Sequence, residues 1–230
     1  MFLDPLYLLL VGPALLLSLV AQGRVSSVFG RWSRVRNARN LTGAEAADEV
    51  LRSQGVTDVR IEPVGGFLAD HYDPRTKTLR LSHQNFDTPS VAAIGIAAHE
   101  AGHALQQAKH YPMLALRSAI VPLAPLGNLG LILVMIGFFL HSLDLAKIGV
   151  LFFGIIVLFQ IVTLPVEFDA SRRAMAALRS SGIVTAEEAS GVRSVLTAAA
   201  LTYVAAAAAA ILQLLYFALR SGLVGGRRSD

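Results

Sequence analysis

The sequence lacks cysteine altogether and is poor in charged residues. Its 230 residues include 20 Lys and Arg and 16 Asp and Glu, which is 16% of the chain. The absence of cysteine excludes disulfides and thiolate metal ligands, so any metal must be held by histidine and carboxylate. A soluble domain has a charged fraction of about 25%. Much of this chain is therefore expected to lie in lipid.

Four segments contain no charged residue and approach or exceed the roughly 20 residues that a bilayer-spanning helix needs. They are residues 5–23, 118–143, 148–166 and 194–219. The first follows Asp4 rather than a basic stretch, which favours a retained anchor over a cleaved signal peptide. The fourth contains the alanine tract 205–210, and whether it spans the bilayer completely stays open.

The distribution of arginine predicts the orientation in the membrane. Five arginines follow the first span closely: Arg24, Arg31, Arg34, Arg36 and Arg39. Basic residues next to a span stay in the cytoplasm, so the polar blocks 24–117 and 167–193 are expected on the cytoplasmic side. Three arginines near the C-terminus favour the opposite parity: Arg220, Arg227 and Arg228. No nucleic-acid-binding motif accompanies the basic charge, so lipid is the expected partner and nucleic acid is not.

Local signals predict the elements of the polar blocks. Capping boxes at 42–45 and 185–188 each begin a helix, and the first of these helices ends before Gly55. The segments 58–64 and 77–82 alternate like strands, with a turn at 73–76. A further helix is expected from Thr88 and Pro89 to about His110, ended by Pro112.

This last helix carries the sequence HEAGH at residues 99–103. His99 and His103 are four positions apart, so both imidazoles lie on one helical face and can bind the same Zn²⁺. Glu100 lies about 100° round the helix and is expected to act as the general base on water. A pair of ordinary core or surface histidines is the alternative, which the intervening Glu100 disfavours.

A catalytic zinc site usually has a third protein ligand, and residues 162–175 supply two candidates. A helix beginning near Pro165 would place Glu167 on the same face as Ala170, Ser171, Ala174 and Leu178. Asp169 would lie roughly 200° away and face solvent or headgroups with the arginines. We therefore expect Glu167 to be the ligand. His110 is a weaker candidate, and His71 and His83 are expected to be surface or substrate-side groups.

The segments AAHEAGHALQQ, LPVEFDASRRA and DHYDPRTKTLRLS together resemble the bacterial family of membrane-bound neutral zinc metallopeptidases. A more distant similarity is to the membrane zinc proteases that include the heat-shock protease of the bacterial inner membrane and the prenyl-protein endopeptidases. In those proteins an E-x-x-A-D motif supplies the third ligand, and its Asp supports a histidine ligand. The resemblance implies that Glu167 and Ala170 match this motif, whereas Ser171 replaces the Asp. It also implies a location in the bacterial inner membrane.

The sequence therefore predicts a mainly α membrane protein, with about four transmembrane helices and a small α+β zincin-like part. The expected divisions are an anchor (5–23), a catalytic part (24–117), a transmembrane hairpin (118–166), a ligand-bearing helical part (167–193), a last span (194–219) and a tail (220–230). The expected function is that of a Zn²⁺-dependent endopeptidase that acts on a protein or peptide substrate. An intramembrane zinc protease and a non-enzymatic scaffold with a structural metal are the alternatives.

Two further features of the substrate site are expected less specifically. The strand at 77–82 is a candidate edge strand beside which a peptide could lie. Five residues are candidate donors to the oxyanion of the transition state, although each is more readily explained as structural: His71, Tyr72, His110, Tyr111 and Arg172.

Overall fold

A computed structural model describes residues 4–66 and 69–224. Within these ranges the helices are α1 (Pro5–Trp32), α2 (Gly43–Ser53), α3 (His83–Phe86), α4 (Val91–Ala108), α5 (Pro112–Ile120), α6 (Ala124–Phe139), α7 (Leu143–Ser180) and α8 (Ala186–Arg220). A short 3₁₀ turn, Val121–Leu123, joins α5 to α6. The strands are β1 (Arg60–Val64), β2 (His71–Asp73) and β3 (Thr78–Ser82).

Among the residues that the structure describes, four helical segments are long and apolar enough to cross a membrane, which confirms the prediction of a mainly α membrane protein. They are Pro5–Trp32, Pro112–Phe139, Leu143–Ser180 and Ala186–Arg220. Large apolar side chains on them face outward; Leu9 is 73% exposed and Phe139 is 81% exposed. Such surface is stable only when lipid or another apolar partner covers it. The fourth predicted span lies wholly within α8.

Two predicted helix starts are wrong. Pro165 does not begin a helix but lies inside α7. The site helix α4 begins at Val91 because Ser90 caps it, accepting a hydrogen bond from the backbone N–H of Ala93 at 3.1 Å. That helix ends at Ala108, and Pro112 is the first residue of α5.

The chain divides into two compact units, of which the first consists of residues 4–21, 116–164 and 202–224 of the described chain. Its core is apolar and includes Val11, Val134, Phe153 and Phe217. Glycine allows α6 and α7 to approach closely, since a Cβ added at Gly130 would lie 2.4 Å from the backbone nitrogen of Phe153.

A polar cluster ties the first helix to the last within this unit. Asp4 accepts hydrogen bonds from the backbone N–H of Leu6 at 3.0 Å and from the hydroxyl of Tyr216 at 2.9 Å. The Arg220 guanidinium lies 3.5 Å from the same carboxylate. The start of α1 and the end of α8 are therefore held together, and the charge of Arg220 is balanced.

The second unit consists of residues 22–66, 69–115 and 165–201 of the described chain. Its core includes α2, the buried side of the sheet, α4 and the part of α7 after Pro165. Both predicted capping boxes are present. Thr42 and Glu45 bond reciprocally at the start of α2, and Thr185 and Glu188 do so before α8. Glu188 also accepts from the backbone N–H of Ala38 at 2.5 Å.

The three strands form one sheet in the order β1-β3-β2. β3 pairs in parallel with β1 and antiparallel with β2, so it is the central strand. The prediction that residues 77–82 form an edge strand for a peptide is therefore wrong, because both sides of β3 are already hydrogen-bonded. The two strands themselves and the intervening turn were predicted correctly.

Candidate active site

Helix α4 presents both histidines of HEAGH on one face. The ring centroids of His99 and His103 are 4.9 Å apart, and the ring planes are nearly perpendicular, at 83°. This arrangement follows from the four-residue spacing, which stacks the two side chains one above the other along the helix. In both rings Nε2 points to the same place, and Nδ1 points elsewhere.

The residue that meets both Nε2 atoms is Glu167 of α7. Its Oε2 lies 3.2 Å from Nε2 of His99 and 3.6 Å from Nε2 of His103. The carboxylate is 2% exposed. The helical phase inferred from the sequence placed Glu167 at the head of a buried stripe, and Ala170, Ala174 and Leu178 are indeed all fully buried.

These three residues form a group whose chemistry and spacing fit a divalent metal. Their ligand atoms all lie within 4.8 Å of one another. Ligands at about 2.0–2.1 Å from a tetrahedral Zn²⁺ are separated by about 3.3 Å, close to the separations of Glu167 from the two rings. Two imidazoles and one carboxylate also leave the fourth position open, as in catalytic zinc sites.

Gly102 explains how α7 comes near enough to supply Glu167. A Cβ added at Gly102 would lie 2.5 Å from the carbonyl oxygen of Ala170, a backbone atom of α7. Backbone cannot yield as a flexible side chain can, so any larger residue would push the two helices apart. The glycine of HEAGH is therefore a packing requirement of the site.

The electrostatics of the site favour a positive charge between the histidines and Glu167. Burial lowers the pKa of His103, but the close carboxylate of Glu167 and the charge of Glu100 outweigh burial and raise that pKa above its ordinary value. Glu100 is 9% exposed and does not belong to the group of three. Its place beside the ligands rather than among them suits a proton acceptor.

The Nδ1 atoms of the two histidines have different partners. Nδ1 of His99 lies 3.1 Å from the hydroxyl of Ser171, and Nδ1 of His103 lies 3.0 Å from Oε1 of Gln106. Ser171 thus contacts a histidine from the position where the distant relatives carry Asp. Gln106 was not singled out in the sequence, although its position three residues after His103, on the site face of α4, was a usable signal.

The prediction that Asp169 faces solvent or headgroups is wrong. Asp169 pairs with Arg172 and Arg173 as expected, but it is only 3% exposed. Its Oδ2 accepts a hydrogen bond from Nε2 of Gln106 at 3.0 Å. Helical phase separated Asp169 from Glu167 correctly, yet it could not show that Gln106 of α4 covers the side on which Asp169 lies.

The remaining candidates lie outside the group of three. His83 is paired with Asp87 at 3.7 Å on the surface, and His110 is an exposed residue with a positive φ of 51° after α4. The other predicted oxyanion donors make structural contacts: Nδ1 of His71 with the carbonyl of Ala69, the Tyr111 hydroxyl with the carbonyl of Pro165, and Arg172 with Asp169.

Tyr72 is committed to a structural hydrogen bond between β2 and α4. Burial and the charges of Asp58 and Asp73 raise the pKa of Tyr72 to about 12, so its hydroxyl stays protonated. It donates to Oε1 of Gln107 at 2.5 Å, and Nε2 of Gln107 donates to the carbonyl of Pro74 at 3.0 Å. These two bonds attach β2 to the site helix.

Comparison with known proteins shows the family to which the chain belongs. Residues 7–222 match the family described as "Putative neutral zinc metallopeptidase". The chain belongs to this family. It is also 44% identical over 221 residues to "Putative membrane protease YugP" of Bacillus subtilis (strain 168), which covers 93% of this chain and 96% of that protein. No solved structure matches the chain.

The family membership confirms the resemblance inferred from HEAGH and the segment around Glu167. The family match extends from α1 to α8, so both units of the chain are part of what the family shares. Zinc is the metal that the family description implies, and the donor set of this family member fits it.

Proposed function

We propose that this membrane protein is a zinc-dependent endopeptidase whose metal is held by His99, His103 and Glu167. The observation that carries the proposal is the approach of one buried Glu167 oxygen to Nε2 of both histidines, at 3.2 and 3.6 Å. A structural zinc site would normally use four protein ligands, whereas three leave a position for water and substrate.

Different residues of the chain have different roles in the proposed hydrolysis. A zinc ion held there would supply a Lewis acid and lower the pKa of the attacking water. Glu100 takes a proton from the attacking water while the water oxygen bonds to the carbonyl carbon of the peptide. Glu100 then donates this proton to the amine that leaves when the C–N bond breaks. His99, His103 and Glu167 keep the reacting groups in place throughout.

The length and polarity of helix α4 favour substrates cleaved outside the bilayer core over substrates cleaved within it. Helix α4 is not one of the four described helices that are long and apolar enough to span. Its capping residue Ser90 and its last turn, with Gln106 and Gln107, are polar. An intramembrane protease would need the histidines on a spanning helix, so the ordinary membrane-anchored endopeptidase is the better-supported proposal.

The test of this mechanism is Glu100→Gln, with Glu188→Gln as a matched control. Both substitutions neutralise a mostly buried carboxylate of the second unit, but Glu188 binds Ala38 and Thr185, away from the histidines. We expect Glu100→Gln to retain the zinc content of the wild type and to lose proteolysis of a casein-type substrate by about 10²–10⁴-fold. Glu188→Gln should keep activity in its folded fraction.

Two outcomes would contradict the proposal. Wild-type cleavage by zinc-loaded Glu100→Gln would exclude Glu100 as the base. Zinc binding by the wild type without cleavage of any protein in a broad substrate panel would favour the non-enzymatic scaffold with a structural metal.

We further propose that the protein lies in the bacterial inner membrane and that its second unit is on the cytoplasmic side. The arginines after the first span favour this side.

Single-cysteine variants test the orientation directly, since the chain has no cysteine of its own. A membrane-impermeant maleimide should label Asp144→Cys, at the start of α7, in intact cells. It should label Ser53→Cys, at the end of α2, only after permeabilisation. The reverse pattern of labelling would place the second unit on the outer side of the membrane.

A further inference from the structure

A buried hydrogen-bond network lies behind His103 on the side away from Glu167. Gln106 is fully buried and connects three groups. Its Oε1 lies 3.0 Å from Nδ1 of His103, and its Nε2 lies 2.8 Å from the carbonyl oxygen of Val166 and 3.0 Å from Oδ2 of Asp169. The two hydrogen bonds from Nε2 of Gln106 therefore join the site helix to α7 without involving a candidate metal ligand.

The partners of Gln106 fix which way its amide points. The carbonyl of Val166 and the carboxylate of Asp169 can only accept hydrogen bonds, so the NH₂ group of Gln106 must face them. Its Oε1 then faces His103 as an acceptor, and Nδ1 of His103 must carry the proton. In the neutral ring, this tautomer leaves the lone pair on Nε2, the atom that faces Glu167.

Asp169 is the charged end of this network. It is 3% exposed and pairs with Arg172 and with Arg173, whose Nε lies 2.5 Å from Oδ2. The Arg173 guanidinium also lies over the ring of Tyr111, 5.6 Å from its centroid. Because these contacts hold the carboxylate in place, Gln106 has a fixed and negatively charged acceptor.

We propose that Gln106 and Asp169 are positioning residues that act in series on His103. Asp169 orients the amide of Gln106, and Gln106 holds the imidazole with its Nε2 lone pair toward the metal position. The inference rests on the proposed function, because it assumes that His103 binds zinc. It adds two residues to the site, one of which the sequence placed at the surface.

The first experiment compares Gln106→Met with Gln107→Met in the full-length protein in detergent. Both changes remove an amide from adjacent positions of α4 at nearly constant side-chain length, but Gln107 contacts Tyr72 and Pro74 rather than a histidine. Zinc affinity is measured by competition with a chromophoric chelator, and thermal unfolding reports folding. We expect about a 10–100-fold loss of affinity for Gln106→Met and wild-type affinity for Gln107→Met.

The second experiment tests the serial arrangement with Asp169→Asn and Glu188→Gln. Each removes one buried carboxylate charge from the second unit. We expect Asp169→Asn to lower zinc affinity by about tenfold and Glu188→Gln to leave it unchanged. In a Gln106→Met background, Asp169→Asn should cause no further loss, since its effect passes through Gln106.

The outcomes separate this inference from the proposed function. If the folded wild type binds no zinc, both fail. If the wild type binds zinc and Gln106→Met binds it equally well, or loses no more affinity than Gln107→Met, the inference alone is overturned. Independent, multiplicative losses from Gln106→Met and Asp169→Asn would overturn the serial arrangement. Should Asp169→Asn not fold, the Gln106 and Gln107 pair decides.

Discussion

The two histidines of HEAGH are equivalent in the motif but not in the structure. His99 is 14% exposed at its side chain and has the hydroxyl of Ser171 at 3.1 Å, whereas His103 is 9% exposed and has the anchored amide of Gln106 at 3.0 Å. A hydroxyl can donate or accept, so Ser171 follows whichever proton position His99 adopts. The amide of Gln106 can only accept at that place, so it dictates the proton position on His103.

The rings of the two histidines are therefore held in place by different kinds of partner. On the His99 side, water could replace much of what Ser171 provides because the ring is partly accessible. On the His103 side, the partner is fully buried and is itself fixed by Val166 and Asp169. We therefore expect the His103 side to tolerate less change than the His99 side.

The largest effect should come from Gly102→Ala, which disturbs both sides at once. The added Cβ would lie 2.5 Å from the carbonyl of Ala170 and force α4 and α7 apart, moving Glu167 away from both histidines. We expect a loss of about 1–3 kcal/mol in stability and a fall of about 100-fold in zinc affinity, the upper end of the range for residues that support a ligand. Thermal unfolding and chelator competition measure the two effects.

Gly95→Ala is the matched control on the same helix. There the three atoms nearest to an added Cβ all belong to the side chain of Val192, the closest at 3.2 Å, and none of them is a backbone atom. Zinc affinity should stay at the wild-type value. If Gly102→Ala bound zinc as tightly as Gly95→Ala, the close approach of α7 would not be needed for the site.

A smaller effect is expected from Ser171→Ala on the His99 side. We expect a fall in zinc affinity of up to about tenfold, the lower end of the range for partners of ligating histidines. The same chelator competition, run beside Gln106→Met, compares the two sides directly. A larger loss of zinc affinity for Ser171→Ala than for Gln106→Met would contradict the expectation that the His103 side tolerates less change.

The sequence was sufficient for the elements whose signals are local or periodic. The four-residue spacing of His99 and His103 and the helical phase of Glu167 gave a site group that the fold brings together. Capping boxes located the starts of α2 and α8. In each case the required information lies within a few residues of the chain.

The errors concern contacts between distant segments. The edge-strand prediction failed because alternation identifies β3 as a strand but does not show that β1 and β2 flank it. Asp169 was misplaced because helical phase gives an angle around α7, not what packs against that angle. Gln106 comes 60 positions before Val166 in the chain, so no local pattern links them.

The most direct test of the central claim is the zinc content of the purified wild type beside Glu167→Ala. The two proteins differ at Glu167, whose carboxylate lies close to both histidines, and circular dichroism would show that the variant is folded. We expect about one zinc per wild-type chain and less than about a tenth of that in Glu167→Ala, because two imidazoles alone form an incomplete site. Equal zinc content in the two folded proteins would contradict the assignment of His99, His103 and Glu167 as the metal site.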